Sequence, residues 1–128
     1  MRNVYSISQF ETIHNETYFI LNEKKQLSHV QAIGQVLADS DNEAFLYIIE
    51  ENDTYSYISF GQELWPQFMQ MILAEQKAFL RLEDGALELV GLVEELKMLL
   101  YNIEGNSNYG EKFVQAVEET FAQLFVQN

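Results

Sequence analysis

The chain of 128 residues contains no cysteine, a single proline (Pro66) and only seven lysine and arginine residues. Without cysteine there are no disulfides, thiolate metal sites, iron–sulfur ligation or thiol nucleophiles. The shortage of basic side chains, set against twenty acidic ones, gives a formal charge of −13. That charge repels phosphate backbones and anionic membrane surfaces, so no nucleic-acid or membrane binding is expected. No stretch approaches the roughly twenty apolar residues of a membrane span, and the first residues lack the apolar run of a signal peptide. A cytoplasmic protein is expected. Low-complexity tracts, internal repeats and linkers are also missing, so residues 1–128 read as a single globular domain.

Apolar residues make up 48% of the chain and aromatic ones 13%, enough to build a core and more than disordered chains carry. Asn3 to Ile13 and the run Tyr18–Leu21, separated by His14-Asn15-Glu16, read as a hairpin. Leu27, Val30, Ile33, Val36 and Leu37 stand at roughly helical spacing and suggest a helix over 27–38, interrupted by Gly34. Ala44–Glu50 and Thr54–Phe60, rich in β-branched and aromatic residues, form the clearest hairpin. Both of its faces are apolar, which implies at least partial cover on both sides. Pro66 suits the first turn of a helix that ends near Gln76. Lys77–Glu83 and Ala86–Leu89 read as two strands around an Asp84-Gly85 turn. Gly91–Ile103 and a last helix from Gly110 carry apolar residues every three or four positions. The expected fold is α+β: a predominantly antiparallel sheet of about three hairpins, with three to four helices on one face or end.

Chemistry-bearing patterns are few. Asp39, Asp41 and Glu43, followed by Glu50, copy the spacing of some calcium-loop ligands, but Ala44 replaces the required glycine and Phe45–Ile49 favours a strand. A solvated turn competes with that metal site and is preferred. Asn106, Asn108 and Tyr109, in the polar stretch Asn102–Gly110, could meet a ligand or partner, or simply cap the flanking helices. Tyr47, Tyr55 and Tyr57 could form an aromatic platform on one hairpin. Together with Trp65 they are candidate partner-binding residues, since such side chains are enriched at interfaces. His14 and His29 are too few for a histidine-rich metal site. Ser28 beside His29 is no nucleophile–base pair without a fold that returns them to each other. Glu50-Glu51 and Glu94-Glu95 read as diverging, solvated acids. No catalytic constellation and no cofactor motif is present.

Gly34–Asn42 with Ala44-Phe45, then Tyr55–Trp65, Asn102–Phe113 and Val117–Phe121, resemble the YjbL-like proteins, an uncharacterised family of low-GC Gram-positive bacteria. The resemblance implies a bacterial cytoplasmic setting and carries no activity, substrate or cofactor. The residues favour a non-enzymatic interaction or regulatory module, and the charge suits another protein with a basic surface as its partner. A small-molecule-binding domain or weakly marked enzyme is the alternative, and nucleic-acid mimicry a third reading. Homodimerisation is left open.

Overall fold

The computed structural model describes residues 3–21, 29–83 and 85–126. Strands β1 (Asn3–Ile13), β2 (Glu16–Leu21), β3 (Val30–Asp39), β4 (Ala44–Glu51), β5 (Thr54–Gly61), β6 (Lys77–Leu82) and β7 (Gly85–Glu88) form one sheet in the order β3-β4-β5-β1-β2-β6-β7. Helices α1 (Trp65–Ala74), α2 (Leu92–Ile103), α3 (Glu111–Thr120) and α4 (Ala122–Val126) pack their apolar sides against its inner face.

The three hairpins read from the sequence are all present, and β1–β2 and β4–β5 have two-residue turns. In each of these two turns both residues lie in the left-handed region, His14 and Asn15 (φ 50° and 63°) and Asn52 and Asp53 (φ 51° and 65°). That geometry matches the right-handed twist of the flanking strands. Glu16 and Glu51, expected in the turns, belong to the strands.

The α+β class holds, but the sheet is mixed. Four neighbouring pairs are antiparallel. The other two, β1 with β5 and β2 with β6, are parallel. The β1–β2 hairpin thus fills the gap between the β4–β5 and β6–β7 hairpins and runs parallel to each neighbour it meets. Local sequence pattern carries no information about such pairings.

The helix expected over 27–38 is corrected to strand β3 for its described residues, while Leu27 and Ser28 lie outside them. In β3 the four-residue step from Ala32 to Val36 faces the two-residue step from Ile49 to Tyr47 in β4, a bulge centred on Gly34 at φ 84°. The bulge breaks the alternation that would have identified a strand and leaves apolar residues at helix-like intervals. Asp84 of the expected 84–85 turn is also outside the described residues, and Gly85 already belongs to β7. The last helix divides at Phe121, whose φ of −104° leaves the helical range while its ring is fully buried.

Aromatic rings form a continuous file through the core. Phe19 meets Phe60 at 4.9 Å, Phe60 meets Phe68 at 5.1 Å, and Phe45 reaches Trp65 at 5.1 Å and Phe113 at 5.8 Å. Phe68 links the two halves, 6.5 Å from Phe45. Offset and edge-on contacts of this kind add to the gain from area burial alone.

The sheet curls until its edges approach. A Cβ placed on Gly34 of β3 would lie 3.4 Å from the Val90 carbonyl oxygen, and one on Gly91 would lie 3.5 Å from the Gly34 oxygen. Tyr47, fully buried on β4, donates a hydrogen bond of 2.6 Å to that same Val90 oxygen. The Gly34 backbone also faces the phenol and favours its ionised form. One side chain thereby bridges two edges that share no ladder.

Two predictions follow from this seam. Gly34→Ala forces a side chain into φ 84° and against Val90, so it should lower unfolding stability by about 1–3 kcal/mol in denaturant titration. Gly85→Ala, with nothing within 4 Å of the added carbon, should change stability by less than about 0.5 kcal/mol.

Burial pushes the Tyr47 phenol up to about 12, opposed by the Gly34 backbone and aided by the Glu88 charge. A raised folded value means that the unfolded chain ionises first. The contribution of Tyr47 is therefore whole below pH 10 and lost as pH rises toward 12. The stability difference between wild type and Tyr47→Phe should shrink across that window by up to about 2 kcal/mol, at roughly 1.4 kcal/mol per unit. Paired denaturant titrations at pH 9 and 11.5 measure it.

Candidate functional site

The acidic candidates are spread along an edge and a strand. Asp39 ends β3 and accepts a hydrogen bond of 2.9 Å from the Asn42 side chain. Asp41 sits exposed in the single-turn 3-10 helix Ser40–Asn42. The Glu43 carboxylate lies 3.6 Å from Lys112 Nζ. Glu50 stands opposite Tyr55 in mid-sheet, six residues beyond Ala44 and so roughly 20 Å along the strand at about 3.3 Å per residue. The stretch that would have to be a calcium loop is β4. Among the described residues no three acidic or histidine side chains converge as a metal ion would require.

Glu51, expected to be solvated beside Glu50, is 8% exposed on the inner face. It accepts hydroxyl hydrogen bonds from Tyr5 at 2.7 Å and Ser56 at 3.0 Å. Burial of a carboxylate is tolerable when such donors replace the lost water.

The Asn102–Gly110 loop spends its polar groups on itself. Asn106 accepts from the Asn108 amide at 3.1 Å and donates to the Asn102 carbonyl at 3.1 Å, capping α2. The Asn102 side chain donates to the Tyr109 hydroxyl at 2.9 Å, and the Gly105 amide donates to Glu118 at 2.8 Å. Asn106 thus caps both the end of α2 and the 3-10 turn Ser107–Tyr109.

The tyrosines do not form one platform. Tyr47 pairs with Ile58 and points inward, whereas Tyr57 pairs with Ile48 and points outward together with Tyr55. Trp65 is also fully buried, its indole Nε1 donating to the Phe60 carbonyl at 3.3 Å. Sequence alternation gives the faces of each strand separately, and the cross-strand register decides which of them coincide.

The structure instead gathers a different set. On the outer face, where none of the described helices packs, Ile48 of β4, Tyr57 of β5 and Val4 of β1 lie in register, and Ile33 of the β3 bulge, itself unpaired, adjoins them. Leu37 and Leu46 adjoin this row, and Tyr55 stands 60% exposed beside it. Val4 and Ile33 are 42% and 38% exposed, although the central Ile48 is buried. Val4 and Ile33 were not singled out in the sequence, because only the parallel β1–β5 pairing brings Val4 to this face.

A cleft of about 550 Å³ opens between the end of α1, the starts of β6 and α2, and the segment that follows β7. Ile72, Ala78, Leu89 and Leu92 contribute apolar wall; Lys77, Lys97, Glu75, Glu88 and Glu94 contribute charge. Arg81 and Lys112 are engaged with Glu11 and Glu43. Lys77 and Lys97 make no ion pair among the described residues. No described helix is long and apolar enough to cross a membrane.

No solved structure matches the chain. Similar proteins occur in Lysinibacillus sphaericus (strain C3-41), 35% identical over 99% of this chain and 100% of its own length, and in Bacillus mycoides (strain KBAB4), 38% identical over 94% and 99%. A UPF0738 protein of Bacillus cereus (strain B4264) is 37% identical over 94% of this chain. An uncharacterised family of low-GC Gram-positive bacteria was the expectation, and that setting holds, under a designation other than YjbL-like. The family model covers residues 5–121, and the chain belongs to UPF0738, a family of unknown function.

Proposed function

We propose that the protein is a non-enzymatic interaction or regulatory module that docks another protein on the outer face of its sheet. The observation that carries this reading is the apolar group Ile33, Ile48, Tyr57 and Val4, with Tyr55 at its margin, on a face that none of the described helices covers. Exposed patches of this kind, partly aromatic and backed by a rigid sheet, are typical docking surfaces. The formal charge of −13 adds long-range attraction toward a partner with a basic surface and works against nucleic acid.

Tyr55→Glu with Val4→Glu tests it. Both side chains are exposed, so the unfolding free energy should change by less than about 1 kcal/mol. Affinity purification at native expression level should recover a stoichiometric partner with the wild-type chain and at least tenfold less of it with the double variant. Equal recovery from both, or no partner and no self-association in sedimentation, would sink the reading.

The cleft favours a second reading, a small-molecule site. Its volume falls within the range of about 300–1,000 Å³ common for ligand pockets. Two lysines free of ion pairs face it among the described residues. Ligand-detected NMR with a panel of small carboxylates and phosphates should find a binder whose signal is lost in Lys77→Met/Lys97→Met. A panel with no binder removes this reading.

A further inference from the structure

The segment Leu89–Gly91 joins β7 to α2 and forms one wall of the cleft. On one side it is held by backbone: the Leu89 amide donates to the Ala78 carbonyl at 2.8 Å, and the Leu92 amide donates to the Leu89 carbonyl at 3.2 Å. On the other side it meets β3, the opposite end of the strand order, with no ladder between them. There the Tyr47 hydroxyl on the Val90 carbonyl and the contact of Gly34 with Gly91 make the join. Leu89 is buried in the core and anchors the strap on the β6 side, whereas Val90, at the join with β3, is 46% exposed.

We infer that Leu89–Gly91 is a strap latched to β3 by Tyr47, and that its release is a local opening that widens the cleft while the β4–β5 hairpin stays folded. Gly91, at φ 76°, is the pivot at the start of α2. When the Tyr47–Val90 bond parts, the bond from Leu89 to Ala78 keeps the strap on β6. The wall moves away from β3 and the cleft mouth extends toward Gly34. With no ladder across it and a single bridging side chain, the join between the strap and β3 lies at the low-stability end of the molecule.

Native-state hydrogen exchange on the full chain tests the inference. In the wild type, the Gly34 and Leu92 amides should exchange with a shallower dependence on denaturant than the central amides of β4 and β5. Tyr47→Phe should accelerate Leu92 by about tenfold. Phe19→Leu, which loosens the far side of the core, should accelerate the β4–β5 amides and leave Leu92 unchanged. If Gly34 and Leu92 follow the β4–β5 amides in the wild-type denaturant series, or in both variants, the strap opens only with the whole molecule and the inference fails.

Discussion

A sheet of seven strands that curls around its own helices has two free edges, and the fate of those edges governs the remainder of this structure. Here they meet at Gly34 and Val90 without pairing, and a buried hydroxyl spans the distance that a ladder would otherwise close. The arrangement demands close backbone approach. That explains why glycine stands on both sides of the seam, each in a conformation that L side chains rarely adopt. The bulge in β3 is part of the same solution: the two extra residues bend the edge strand and bring the Gly34 backbone to face the phenol.

Legibility in the sequence followed the range of the interactions. The β1–β2 and β4–β5 hairpins were readable because a two-residue turn and the flanking alternation are local. Helix α1 was readable from Pro66 and its apolar spacing, and α2 from its apolar spacing between Gly91 and Gly105. Strand β3 was not, because a bulge leaves the apolar residues at intervals that imitate a helix. The parallel joins β1–β5 and β2–β6 were invisible in principle: each pairs segments more than fifty residues apart and leaves no mark in either one.

The candidate site was legible to a smaller degree, for the same reason. Tyr55 and Tyr57 share an outer face, as alternation requires, yet Tyr47 is the residue that the fold consumes for its closure. Of three tyrosines on one hairpin, Tyr47 is the most structural. The acidic stretch Asp39–Glu43 and the Asn106–Tyr109 loop had turn and capping explanations from the start. The hydrogen bonds from Asn42 to Asp39, from the Asn108 amide to Asn106 and from Asn102 to Tyr109 supply those explanations in atomic terms.

Strand β4 ties the two halves of the functional argument together. Tyr47 and Ile48 are neighbours in sequence that face opposite ways, one holding the seam beside the cleft and the other anchoring the outer row. Their physics differs. Tyr47 acts through one directional bond, so its removal is felt where that bond ends, at Val90 and the cleft wall. Ile48 acts through packing with Tyr57, and its effect spreads laterally across the face. Strand β4 keeps these effects apart, because backbone pairing on both its flanks resists the tilt that would transmit a push from one face to the other. Val4 and Tyr55, on different strands and pointing away from the helices, can therefore be altered without disturbing the seam. The outer face and the cleft are separable features of one sheet.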